Sequence, residues 1–210
     1  MSVLPVNVLY SDEQMVVVNK PSGLLSVPGR GPDKAECVVV RLQSAFPTVR
    51  AVHRLDCHTS GLMVLALTVE AHRELSRQFH DRETEKGYRA RVEGVLEKDS
   101  GEVNLPLMTD WPNRPRQMVS EEGKQAHTRW HCLQRENETS WVALTPITGR
   151  THQLRVHMMA IGHPIVGDRL YATGKALDRS DRLLLHAERL AIKQPLTGER
   201  LEFKSECPFL

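Results

Sequence analysis

The segment His53-Arg54-Leu55-Asp56-Cys57-His58-Thr59-Ser60-Gly61 sets one carboxylate after a basic pair and before a small polar turn. The apolar run Leu62 to Leu67 follows at once, and six such residues rich in strand formers predict a buried strand. Asp56 then sits on a loop feeding a core strand, a mounting that suits a catalytic group. The same letters also spell an ordinary turn, since Asp, Thr, Ser and Gly all favour turns. A second segment, Thr148-Gly149-Arg150-Thr151-His152-Gln153-Leu154-Arg155-Val156-His157, reads as a polar loop opening a helix. Backbone N–H groups at a helix start suit a phosphate or carboxylate. Arg155, one turn in, is placed to reach a carboxylate brought by another loop and keep it charged, as a nucleophile requires. A surface helix with scattered charge is the competing reading of this segment.

Other chemistries lack their residues. His152 and His157 are five apart, not the four of a zinc-binding His-Glu-x-x-His helix. A kinase loop would read His-Arg-Asp and need Asp-Phe-Gly, and neither is present. There is no Gly-x-Gly-x-x-Gly and no Gly-x-Ser-x-Gly. A glycosidase would want a second carboxylate facing Asp56, and the sequence offers no obvious one. Cys37, Cys57, Cys132 and Cys207 are widely spaced and read as isolated, reduced thiols, with Cys57 a bystander beside Asp56.

The elements that must position these groups follow from periodicity and breakers. Residues 6–10 and 15–18 form a hairpin, ended by the Asn19-Lys20-Pro21-Ser22-Gly23 loop. A helix is expected from Cys37 to Phe46, with Val38, Leu42 and Ala45 on one face, stopping before Pro47. Thr68 should cap a helix from Val69 to His80 whose apolar face is Ala71, Leu75 and Phe79. Tyr88 to Val92 alternates as a half-buried strand, and residues 130–133 and 141–144 read as a strand pair. Two prolines keep Asp110 to Arg116 irregular. Thr151 to Ile161 is a helix with Leu154, Met158 and Ile161 on one face and Gly162 as its stop. Short strands at 183–185, 190–192 and 201–203 close the chain. The expected fold is α+β, a largely antiparallel mixed sheet flanked by helices and loops.

With 210 residues, 40% hydrophobic and 26% charged, the chain suits one globular domain spanning 1–210. No apolar stretch approaches a membrane span, and Met1 to Pro5 shows no secretory pattern, so a cytoplasmic protein is expected. Net charge is only +2, but cations cluster at 82–91, 114–116 and 150–157 and could form one phosphate-binding face.

Taken together, the two strong segments resemble the RluA family of RNA pseudouridine synthases. Asn19-Lys20-Pro21-Ser22-Gly23-Leu24, Lys86-Gly87-Tyr88 and Leu184-Leu185-His186-Ala187 agree with it in order and spacing. Asp110-Trp111-Pro112-Asn113-Arg114-Pro115 resembles the RluA subgroup, which lacks the S4 RNA-binding domain of several relatives. The resemblance runs from about Val8 to Phe203.

It implies a pseudouridine synthase catalytic fold and an isomerase that needs no metal and no organic cofactor. It implies Asp56 as the catalytic aspartate, Tyr88 as the active-site tyrosine and Arg155 as the arginine paired with Asp56. Leu154 would pack under the base, and Arg54 would displace the target base from its stack. Arg114, Arg116 and Arg150 are candidates for RNA backbone contact. The implied partners are RNAs: a tRNA anticodon stem-loop (uridine 32) and a 23S rRNA hairpin (uridine 746). A monomer with no obligate protein partner is expected. Two competing readings are a non-catalytic RNA-binding or remodelling protein on the same scaffold, and a hydrolytic N-glycosidase that would release free uracil.

Overall fold

The computed structural model describes residues 6–29, 31 and 34–210; the opening residues 1–5, read above for a leader, lie outside it. The chain forms two compact units. One holds the chain as far as Lys86 and takes it up again from Ala187 to Pro208; the other holds Gly87–His186.

In the first unit, β1 (Asn7–Ser11) and β2 (Met15–Lys20) make the expected hairpin. Asp12 shapes its turn, its carboxylate accepting from the Gln14 and Met15 N–H groups at 2.8 Å each. β2 pairs antiparallel with β4 (Ser60–Ala66), every residue of which is buried. The two-residue β3 (Arg50–Ala51) pairs with the end of β4. β11 (Leu185–Lys193) is the other neighbour of β4, and β12 (Arg200–Lys204) pairs with β11. Gly61 has φ +114°, and a Cβ there would lie 2.3 Å from the Ala187 carbonyl oxygen. Only glycine lets β4 run this close to β11.

Helix α2 (Val69–His80) has the expected bounds, with Thr68 Oγ1 accepting from Ala71 N–H at 3.0 Å. Ala71 and Leu75 pack with Met15, Val17, Leu62 and Val64. Gln78 is buried beside them and bonds both backbone groups of Lys193 at 2.9 Å. Helix α1 (Val38–Leu42) is shorter than periodicity suggested. Phe46 N–H closes a turn onto Leu42 ahead of Pro47, and Ala45 is exposed instead of joining Val38 and Leu42.

In the second unit the strand order is β5 (Glu85–Glu93), β10 (Thr139–Pro146), β9 (His127–Arg135), β6 (Ser100–Asn104), each pair antiparallel. A separate hairpin, β7 (Leu107–Thr109) with β8 (Gln117–Val119), brackets the proline-rich loop. That hairpin was not legible in sequence, because each strand has only three residues. Helix α3 (Gln153–Ala160) buries every residue from Gln153 to Met158, so it is a core helix rather than a charged surface one. Gly162, φ +87°, ends it as expected: His163 N–H reaches the Met158 carbonyl at 2.9 Å and Gly162 N–H that of Met159 at 3.0 Å. The short α4 (Lys175–Asp178) was not foreseen, and β11 is one strand where two pieces were expected. The result is the α+β fold with a largely antiparallel sheet and few helices. No helix among the described residues is long and apolar enough to cross a membrane.

Candidate active site

Asp56 is carried by the loop between β3 and β4, and that loop is tied down residue by residue. Ser26 Oγ donates to the Leu55 carbonyl at 2.8 Å and accepts from Leu55 N–H at 3.0 Å. The Asp56 carbonyl accepts from Thr59 N–H at 3.1 Å, closing the turn. The Cys57 carbonyl accepts from Gly23 N–H and from Lys20 Nζ, both at 2.9 Å. Ser22 Oγ donates to the His58 carbonyl at 2.8 Å. The Asp56 side chain itself is half-buried. Its backbone is fixed while the residue stays partly accessible to solvent.

Lys20 is the hub of this arrangement. It is fully buried, and its ammonium donates to the carbonyls of Pro21, Leu24 and Cys57 at 2.8–2.9 Å. A buried cation needs such oxygens around it, so one side chain joins the loop after β2 to the loop before β4. Cys57 is tied into the same junction, its thiol donating to the Gly23 carbonyl. Burial pushes that thiol's pKa up, against the pull of Lys20 and with Asp56 adding to the rise. It is not a poised thiolate, and all four cysteines are free.

His53 anchors the loop from the other side. Its Nε2 accepts from Val64 N–H at 3.0 Å, beyond the point where β3 stops pairing with β4. Its ring stacks on Phe79 with centroids 4.3 Å apart. Burial, with the Lys86 cation adding to it, pushes its pKa from 6.5 down to about 3. The unfolded chain therefore takes up this proton below 6.5, while the folded chain refuses it until about 3. Stability is fully present above pH 6.5 and falls with acid, by about 1.4 kcal/mol per pH unit from this group. In urea unfolding, His53→Gln should lose about 1.4 kcal/mol less than the wild type between pH 5.5 and pH 4.5. Parallel losses in the two proteins would contradict the assignment.

The other candidates lie in the second unit, except Arg54, which is exposed two residues before Asp56. Tyr88 is on β5 opposite Leu144 and packs, half-buried, against an apolar cluster that includes Leu154, Met158 and Val142. Arg155 is buried, and its Nε and Nη2 each donate to the Asp168 carboxylate at 2.7 Å. Arg114 stacks on exposed Trp111 at 3.7 Å, and Arg116 lies over Tyr171 at 5.6 Å. Arg150 Nε donates to the Gln125 carbonyl at 3.0 Å.

The expected cationic face is only partly realised. Arg91 pairs with Glu136, Arg155 with Asp168, and His157 is buried between Thr128 Oγ1 and the Leu105 carbonyl. These three serve the fold's own pairings. Arg114 and Arg116 are exposed.

Sequence reasoning missed Lys20 as a hub, His53 as an acceptor, and Gln153, whose amide holds the loop before α3. Gln153 Oε1 accepts from Thr148 Oγ1 at 2.6 Å and Arg150 N–H at 3.0 Å, and its Nε2 donates to the His127 carbonyl at 2.9 Å. Asp168 was missed as well, although Gly167-Asp168 after an apolar pair is a turn signature. Among the described residues no group of three His, Cys, Asp or Glu side chains is placed to hold a metal ion.

Comparison with known proteins shows the family. The model of the RNA pseudouridylate synthase family matches residues 14–160. A dual-specificity RNA pseudouridine synthase RluA of Yersinia pestis is 54% identical over 204 residues, covering 96% of this chain and 99% of that protein. The protein of the same name from Escherichia coli K12 is 52% identical, covering 96% and 93%. Human RNA pseudouridylate synthase domain containing 1 superposes with a TM-score of 0.85 at 31% identity, covering all of this chain and 86% of that one.

Proposed function

This chain belongs to the RNA pseudouridylate synthase family and is an isomerase, and on that footing we propose that Asp56 is its nucleophile and that Tyr88 and Arg155 are further catalytic residues. The observation that carries this reading is the Asp56 loop. Every residue from Leu55 to His58 has a backbone group hydrogen-bonded, while the Asp56 side chain stays accessible. A rigid carriage for one reachable carboxylate is what nucleophilic attack requires and what RNA binding alone does not.

In the reaction the N1–C1′ bond of a uridine breaks and a C5–C1′ bond forms. The C5 hydrogen leaves as a proton and N1 takes one up, so the composition of the RNA is unchanged. Asp56 assists by adding to the sugar or by removing a proton from it. The Tyr88 ring stacks on the detached uracil, and its hydroxyl moves the C5 proton. Arg155 orients reacting groups. Leu154 supports the base, and Arg114, Arg116 and Arg150 contact the RNA backbone.

The proposed substrates are a tRNA anticodon stem-loop, at uridine 32, and a 23S rRNA hairpin, at uridine 746. The RluA relatives carry dual specificity in their names, and loop bases are the ones an enzyme can splay out and read. The protein is proposed to act as a cytoplasmic monomer. Mapping pseudouridine after incubation with unmodified tRNA and a 23S fragment tests the substrates. One modified loop uridine in each RNA is expected; modification of neither would overturn the assignment.

Arg54 is proposed to take the place of the base that leaves the stack. It is exposed and stands beside the nucleophile. Arg54→Ala should slow turnover of a structured stem-loop by about tenfold or more, and that of a flexible single strand by only about twofold. Equal losses on both RNAs would remove Arg54 from this role.

A further inference from the structure

Asp168 has no part in the mechanism above, yet it is among the most completely engaged side chains in the protein. It is essentially inaccessible to solvent. Its carboxylate takes Arg155 Nε and Nη2 at 2.7 Å each, together with the N–H groups of Leu170 at 2.9 Å and Tyr171 at 3.3 Å. The turn that carries it has a fixed course. Gly167 has φ +73°, and a Cβ there would fall 2.0 Å from the Arg182 carbonyl oxygen.

Tyr171, three residues on, completes the enclosure. Its ring lies 5.0 Å from the Arg155 guanidinium carbon. Its hydroxyl accepts from Gln117 N–H of β8 at 2.8 Å and meets His152 Nδ1 at 2.7 Å. His152 opens α3 in a left-handed conformation, φ 54°, with no side-chain cap of its own. One phenol thus fastens the β7–β8 hairpin to the first turn of the helix that bears Arg155.

We infer that Asp168 and Tyr171 are positioning residues for Arg155: Asp168 sets the plane of its guanidinium, and the Tyr171 hydroxyl ties that setting to the hairpin carrying Trp111, Arg114 and Arg116. A side-on bidentate pair permits one orientation of a planar fork, whereas a single contact would leave it free to swing. Solvent exclusion holds the pair together more firmly than a surface ion pair would be held. The inference rests on the proposed role of Arg155.

Single-turnover rates with a saturating tRNA anticodon stem-loop, tritiated at uridine C5, test it. RNA dissociation constants are measured alongside. Asp168→Asn should lower the rate by about 100-fold, the scale of a small misplacement of a catalytic group. RNA affinity should change by no more than about twofold. In an Arg155→Met background, Asp168→Asn should cost nothing further, because the residue it acts through is gone. Tyr171→Phe keeps the ring, removes only the hydroxyl, and should slow the rate about 5- to 10-fold. This milder change keeps the test decisive should Asp168→Asn fail to fold. Losses that multiply in the double variant, or a wild-type rate for Tyr171→Phe, would overturn the inference while leaving the Arg155 reading intact. A wild-type rate for Arg155→Met would overturn both.

Discussion

Asp56→Asn should bind RNA with nearly the affinity of the wild type and convert no detectable uridine. The substitution preserves shape and exchanges one carboxylate oxygen for an amide nitrogen, which cannot attack the sugar or accept its proton. The backbone bonds that hold the loop run through main-chain carbonyls, not through the carboxylate. The loop is held through the carbonyls of Leu55, Asp56, Cys57 and His58, by donors at Ser26, Thr59, Gly23, Lys20 and Ser22. The expected loss in rate is at least about 10⁴-fold, comparable to removal of a nucleophile in other covalent catalysts. Single-turnover conversion and filter binding on the same RNA check both halves. Turnover within tenfold of the wild type would take the nucleophile role from Asp56.

Lys20→Met should be the most damaging change to stability. Methionine matches the length of the stem but donates nothing, so the carbonyls of Pro21, Leu24 and Cys57 lose their shared cation. Each acceptor deprived of its donor away from water costs about 1–3 kcal/mol. The Cys57 carbonyl keeps the Gly23 N–H, which moderates its share. A total of about 3–5 kcal/mol is expected, a large fraction of the stability of an ordinary domain. Urea unfolding at neutral pH measures it. A loss under about 1 kcal/mol would show that Lys20 is not the junction described. The folded fraction of this variant should also turn over more slowly, since the Cys57 carbonyl that loses its ammonium donor belongs to the residue after Asp56.

What the sequence made legible were features governed by neighbours in the chain. The apolar run at Leu62 became the buried β4, Thr68 capped α2, and Gly162 closed α3, each by a local rule of burial or hydrogen bonding. What escaped were contacts across long separations. Lys20 and Cys57 are 37 residues apart, and Gln117 and Tyr171 are 54 apart. No periodicity reports such pairs. Lysine in a loop reads as surface charge, and nothing local shows three carbonyls converging on it. Helix α3 misled for a related reason. Gln153, Arg155 and His157 gave it a polar pattern, yet all three are buried because partners from β9, the 168–171 turn and Leu105 satisfy them. The proposed functional residues stood out because Asp56 and Arg155 sit in runs whose order and spacing resemble a known family. Asp168, which holds one of them, lies outside those runs.

The central claim is isomerisation of uridine in RNA at Asp56, and tritium release measures it most directly. Unmodified tRNA and a 23S rRNA fragment, labelled at uridine C5, are incubated with the wild type and with Asp56→Asn, and released tritium and free uracil are both counted. Release by the wild type alone, with no free uracil, is the expected result. Release by Asp56→Asn at the wild-type rate, or free uracil appearing with the wild type, would contradict it.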